Sequence, residues 1–363
     1  MNKLYLTHTP YHILLSCVLG LENDSDGHTQ ALVGFVDSDI TGLLNAFNRS
    51  DEVPFERVFQ LSGIYEANRP RRRFRQKRNT IRIRRKINHW QPDRIYSFHD
   101  YRPEDQIALT TAQKHGAKRV YVEDGTDAYT DAFAEKDHTH NTLLKGKLFY
   151  GLWWKPPKPH GTSGRIDEAR VVFPQHATPQ LQAVPLKTIS RPAMFSLGEM
   201  DWFEPYVTRQ GLKGQMATID TIVFVDHYAY ANRFARYEQQ LSDVITRLVD
   251  KGHTVGVKYH PVESRSFLDI DHPSVITVPR NVPAEILYIL APETIEFVVG
   301  NSSTALMTAR WLLKNPTVIS LSNLLEPNAS SSVKVPDARL LSVFDDVGIL
   351  LPEGVQAIDE VFL

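Results

Sequence analysis

The chain has 363 residues, 42% of them hydrophobic, with 41 Lys or Arg against 42 Asp or Glu. That length exceeds one ordinary core, so two domains are expected, and no apolar run nears the about 18 residues a membrane-spanning helix needs. The single cysteine, Cys17, excludes an internal disulfide and reads as a buried thiol in a reducing compartment.

The amino terminus MNKLYLTHTPYHILLS interrupts its apolar residues with Thr, His, Pro and Tyr, unlike a signal peptide, so the chain reads as mature and cytoplasmic. Lys3 to Thr7 reads as a strand, followed by the loop Thr7 to His12 and a helix in HILLSCVLGLE, where apolar positions recur at three and four. TQALVGFVD, PDRIYSFHD and KRVYVEDG give further strands, with a helix from Glu104 to His115 between the last two. Strands alternating with helices predict a mostly parallel sheet covered on both faces, with its site outside the carboxyl ends of the strands.

From Gly151 to about Met216 the chain is proline-rich and lacks helical periodicity, so the domain boundary is expected late in this region. A second series then runs through DTIVFVDH, a long amphipathic helix in ANRFARYEQQLSDVITRLVDKG, TVGVKYHP, SVITVP, VPAEILYIL, EFVVGNSSTALMTARWLLKN and PTVISLS. The fold class predicted is α/β, with two doubly wound Rossmann-like domains facing a central cleft. Residues 1–200 form the first, 201–218 a linker and 219–363 the second.

The near-zero net charge hides segregation. Between Arg69 and Lys86 lie eleven Lys or Arg and no acid, leaving 30 basic against 42 acidic residues elsewhere. A basic helix is expected over 69–88, with Phe74, Ile81, Ile83, Ile87 and Trp90 available for packing. Arg71, Arg72, Arg73, Arg75, Lys77, Arg78, Arg82 and Arg85 are its candidate polyanion-binding residues. A solvated helix face needs no ligand, but such one-sided charge fits an anionic glycan or an anionic inner-membrane surface. Nucleic acid also fits by charge, though it is not the partner expected. LFYGLWWKPPKP, flanked by Lys145, Lys147 and Lys155, reads as an interfacial loop, a lid or a core-packed loop.

Four constellations carry polar chemistry, three of them at strand ends. Glu123, Asp124 and Gly125 end KRVYVEDG; Gly125 permits a left-handed turn that aims a carboxylate outward, where desolvation makes it a general base. Acid before glycine is also ordinary turn chemistry. His260 ends TVGVKYHP, held by Pro261, and titrates near neutrality, which suits a leaving phosphate. Gly300 and Asn301 turn into Ser302, Ser303 and Thr304 at a helix amino terminus, a natural phosphate seat, although one hydroxyl there is explained as a cap. Glu285, in the first turn after Pro283, would accept ribose hydroxyls or merely complement the helix dipole. His8, Thr9 and His99 sit at first-domain strand ends, placed for acceptor or donor contact.

The order of acid-acid-Gly, His-Pro and paired hydroxyls resembles the bacterial GT-B sialyltransferases. With the amino-terminal TPYHILL it is most similar to the polysialyltransferase-like group, glycosyltransferase family 38, with the lipooligosaccharide sialyltransferases of family 52 as neighbours. The resemblance implies an inverting, metal-independent transfer of sialic acid from CMP-sialic acid to a hydroxyl of a bacterial capsule or lipooligosaccharide glycan, including polysialic acid extension. It places Glu123 as base and His260 as acid on the departing phosphate, with Ser302 and Ser303 on its oxygens and Glu285 on the ribose. It implies no cofactor beyond the donor, and peripheral contact with the membrane or capsule-assembly proteins. Two alternatives stay open: another CMP-linked ulosonic acid such as Kdo or legionaminic acid as donor, or a non-catalytic polyanion-binding protein.

Overall fold

The computed structural model describes residues 1–22, 29–36, 38–63, 69–130, 140–155, 160–161, 163–261, 263, 265–268, 270–328 and 337–362. It divides into two compact units, Met1–Trp202 and Phe203–Leu363. The stretch expected as a linker, 201–218, carries the helices Phe203–Arg209 and Leu212–Met216. Buried Phe203, Tyr206, Val207, Leu212 and Met216 explain why it folds with the second unit instead of running free.

In the first unit β1 (Lys3–Thr7), β2 (Gln30–Val36), β3 (Arg57–Ser62), β4 (Arg94–Ser97), β5 (Lys118–Val122), β6 (Glu168–Val171) and β7 (Leu186–Thr188) form one sheet. Its order is β3-β2-β1-β4-β5-β6-β7, with every pairing parallel. β1 is buried throughout, as a parallel strand covered on both faces must be. Neither β6 nor β7 was expected, because EARV and LKT lack an apolar alternation. The buried carboxylate of Glu168 is tolerated there because Lys118 Nζ (2.5 Å) and Arg170 Nε (3.0 Å) donate to it.

The covering helices are α1 (Pro10–Leu21), α2 (Ser38–Phe47), α3 (Arg69–Trp90), α4 (Pro103–Lys114) and α5 (His140–Tyr150). Thr9 caps α1 by accepting from His12 N, with Pro10 opening the first turn. The basic helix runs to Trp90 and turns Gln76, Asn79, Thr80, Ile83 and Ile87 inward. Of its expected packing residues, Phe74 and Ile81 are exposed, at 69% and 47%. Polar Gln76 and Asn79 take the inward places because each has a partner, Tyr150 Oη and the Ser62 carbonyl respectively.

In the second unit β8 (Thr221–Val225), β10 (Val255–Tyr259), β11 (Val275–Thr277), β12 (Phe297–Gly300) and β13 (Thr317–Ser320) pair in parallel in the order β11-β10-β8-β12-β13. β9 (Phe234–Ala235) pairs antiparallel with β14 (Glu326–Pro327). That pairing, with Arg236 at φ 56°, shortens the long amphipathic helix expected from Ala231 to Tyr237–Asp250. Helices Ala284–Leu290 and Thr304–Leu312 complete the layer that carries the second-unit motifs.

Candidate active site

In the first unit the tips of β1, β4 and β5 bring one polar cluster together. Gly125 has φ +55°, the left-handed conformation expected of it, and opens a short 3-10 turn to Ala128. The two acids before it have different surroundings. Glu123 is 2% exposed. Its Oε1 accepts from Tyr11 Oη (2.6 Å), and its Oε2 accepts from Tyr129 Oη (2.5 Å) and Val172 N (2.6 Å). Burial pushes its carboxyl up to about 7, against the opposing pull of these donors.

Asp124 keeps 20% of its side chain exposed while His12 Nε2 lies 2.6 Å from one oxygen and His99 Nδ1 3.0 Å from the other. Burial, the largest single influence, would raise its carboxyl, but His12, His160 and Arg102 together prevail and the net direction is down, so it is ionised at neutral pH. The tautomer of His12 follows from geometry. Its Nδ1 accepts from His8 N (3.2 Å), so in the neutral ring Nε2 carries the proton and donates to Asp124.

Burial lowers His8, His12 and His99, and keeps their rings neutral. His8 stacks on Phe35 at 4.2 Å and meets Asp105 Oδ2 at 2.9 Å; His12 stacks on Phe98 at 4.0 Å. His160 lies 3.5 Å from Asp127; burial, the largest single influence, lowers it, but Asp127, Asp124 and Asp100 together prevail and its net direction is up.

Among the described residues two groups have metal-ligand composition: His12, His99 and Asp124, and Asp124, Asp127 and His160. The first fits a metal poorly, since the His12 nitrogen nearest Asp124 bears the proton. In the second, a histidine raised toward its cation opposes a further positive charge.

In the second unit His260 follows β10, its backbone N–H donating to Val225 O (3.1 Å). His260 is exposed, with the His227 ring beside it, centroids 5.7 Å apart. Loss of hydration, reinforced by His227 and Lys258, brings its pKa down to about 4, so the imidazole is neutral at pH 7. Pro261 is exposed just beyond. The loop is anchored by Glu263, which accepts from Tyr228 N (2.9 Å) and Arg265 N (3.1 Å).

Ser302 Oγ lies 3.3 Å from Tyr230 Oη, and Ser303 caps the helix Thr304–Leu312 by accepting from Ala305 N (3.2 Å). Gly300 closes β12 within the strand and not in a turn; a Cβ there would meet Phe224 and Leu306 at 3.4 Å. Glu285 is 3% exposed. Burial raises its carboxyl, opposed by its own backbone N–H, by Thr308 and by Lys258. It lies beneath the surface where an open ribose acceptor was expected.

Several participants were not foreseen. Asp226, His227 and Tyr230 follow β8 and link both second-unit motifs, His227 beside His260 and Tyr230 beside Ser302. Asp226 accepts from Asn301 Nδ2 (3.3 Å) and Tyr237 Oη (3.1 Å), and burial pushes it up to about 6. The signal was available, since DTIVFVDH ends a strand in acid and histidine as plainly as TVGVKYHP does. Tyr11 and His12 belong to the loop expected to contact substrate, but nothing in the sequence pairs them with Glu123 and Asp124; Tyr129, Asp105, Asp127 and His160 carry no spacing signal that ties them to Asp124.

The whole chain resembles solved structures built from two parallel Rossmann-like sheets. UDP-GlcNAc 2-epimerase from Methanocaldococcus jannaschii is 10% identical, with 99% of this chain and 91% of that one covered and a TM-score of 0.58. UDP-GlcNAc 2-epimerase from Neisseria meningitidis, bound to UDP-GlcNAc, is 12% identical, with 99% and 98% covered and a TM-score of 0.56. A UGT transferase from Siraitia grosvenorii in complex with UDP is 10% identical, with 99% and 90% covered and a TM-score of 0.53. At these identities the likeness carries the fold alone, and the fold is GT-B-like. No curated protein matches the chain.

The alpha-2,8-polysialyltransferase (POLYST) family matches residues 3–322, and the chain belongs to that family. Membership makes it a glycosyltransferase that uses CMP-sialic acid and a glycan acceptor, and narrows the donor left open by the motifs to sialic acid.

Proposed function

We propose that the protein extends a sialylated bacterial envelope glycan by inverting transfer from CMP-sialic acid, without a metal, while attached peripherally to the inner membrane. The observation that carries this reading is the division of chemistry between the units: an oriented carboxylate at the tip of β5, and histidine with hydroxyls at the tips of β10 and β12. In this reading the first set serves the acceptor hydroxyl and the second the donor phosphate.

Asp124 takes the proton from the acceptor hydroxyl. Reach is decided before basicity, and Asp124 is the member of the pair with an open side, whereas Glu123 is enclosed by three donors. His12, locked as a donor, keeps Asp124 ionised and oriented. One observation favours Glu123 instead: a carboxyl held at about 7 is matched to base catalysis near neutral pH.

His260 is neutral in the free enzyme. A donor phosphate beside it would favour the imidazolium and lift its pKa toward neutrality. The bound complex thus holds a proton for the departing CMP, while Ser302, Ser303 and the positive dipole end of the helix Thr304–Leu312 stabilise its oxygens. With charge on the leaving phosphate met by these donors, and His12 committed to its proton, the transfer requires no metal. Attack from the side opposite CMP inverts the anomeric centre. Glu285, buried beside Thr308 and Lys258, shapes the floor under the nucleotide.

The test is incubation with CMP-sialic acid and a soluble sialylated oligosaccharide in the presence of a chelator, with products read by mass. Addition of sialic acid units supports the reading, and absence of any added unit defeats it.

A further inference from the structure

The basic helix accounts for charge, yet its neighbourhood also holds an apolar surface that transfer chemistry does not use. Phe74 on α3 is 69% exposed, and Leu144, Leu148 and Leu152 on or just after α5 are 60%, 77% and 89% exposed. Their outward position is built into α5. A Cβ on Gly146 would come within 2.1 Å of Trp154, and Tyr150 stacks on the same indole at 6.1 Å, so the face carrying 146 and 150 is the inner one. Leu144 and Leu148 stand two positions earlier, about 200° around the helix, and therefore point away from that packing.

The patch is continuous with α3. Phe149 meets Phe74 with ring centroids 6.3 Å apart, Lys77 Nζ lies 4.9 Å over the Phe149 ring, and Tyr150 Oη donates to Gln76 Oε1 at 2.8 Å. Exposed Lys145 and Lys147 flank the leucines, and exposed Arg73, Lys77 and Arg78 flank Phe74.

We propose that this α3–α5 face seats the protein on an anionic lipid bilayer, with the leucines and Phe74 entering the headgroup region and the surrounding cations meeting lipid phosphates. A soluble acidic glycan is matched by the cations alone and gives four large apolar side chains no partner. A bilayer matches both, through apolar insertion and surface potential. The proposal deepens the peripheral attachment proposed above by naming its surface and lipid class, and its failure would leave the transfer reaction untouched.

The experiment is co-sedimentation of the full chain with vesicles of phosphatidylcholine plus phosphatidylglycerol and with vesicles of phosphatidylcholine alone. The wild type is expected to partition onto the anionic vesicles and largely ignore the neutral ones. The combined variant Leu144→Ser, Leu148→Ser, Leu152→Ser is expected to lose about tenfold or more of that partitioning. Its binding to soluble polysialic acid and its activity on a short soluble acceptor should be unchanged, which also shows that it is folded. Equal partitioning of variant and wild type overturns the proposal, as does wild type that ignores both vesicles. A dimer in sedimentation velocity that dissociates in the variant assigns the face to a second copy of the chain and overturns it too.

Discussion

The two strand-tip clusters are organised in opposite ways. At the end of β5 the acids are positioned mainly by other side chains: Glu123 by two tyrosines, Asp124 by His12 with His99 Nδ1 3.0 Å from its other oxygen, and Asp105 by His8. At the ends of β10 and β12 the reactive groups stand partly open, and backbone supplies much of the positioning: His260 N bonds to β8, Ser303 caps a helix, and Glu263 gathers loop N–H groups. The difference suits two separate tasks: the first cluster can hold a carboxylate in advance, and the second can become charged when a phosphate arrives.

The strongest break in that contrast is Asp124→Asn. Removing a general base costs about two to four orders of magnitude in rate, and kcat is expected to fall by that much with the melting temperature little changed. Next comes His260→Ala, expected to lower kcat by about two orders of magnitude. Because His260 sits at about 4 when free, CMP binding near pH 7 should also take up a proton in the wild type. Calorimetry in buffers of different ionisation enthalpy would show it, and the uptake should vanish in the variant.

A third effect concerns stability. Burial holds Glu104 at about 7, above its unfolded value, so its contribution is present below the unfolded pKa and lost as pH rises through about 7. Glu104→Gln should therefore gain on wild type between about pH 4.5 and 7 by on the order of 3 kcal/mol at most, then level off. Denaturant midpoints across that range check the sign. The smallest effect is expected in the open cluster, where Ser303→Ala removes a helix cap worth about 1 kcal/mol and should raise KM for the donor severalfold.

The same contrast explains what could be read from the sequence. His260, Ser302 and Ser303 stand at strand ends followed by Pro or a helix, and local pattern is enough to find such positions. The buried cluster depends on contacts across long separations, such as Tyr11 with Glu123 or His12 with Asp124, 112 residues apart in each case. No short motif records them. β6 and β7 were missed for a related reason: their charged residues are neutralised by partners that only the folded sheet supplies. Gly125, by contrast, was legible from conformational physics alone.

The pair Asp124→Asn and Glu123→Gln, assayed side by side for sialic acid addition from CMP-sialic acid with mass detection, bears most directly on how the enzyme works. The account predicts a loss of about a hundredfold or more for Asp124→Asn. For Glu123→Gln it predicts a melting temperature lowered by an unmatched buried amide but a rate within about tenfold of wild type below that temperature. A fully active Asp124→Asn alongside a folded but inactive Glu123→Gln would contradict it.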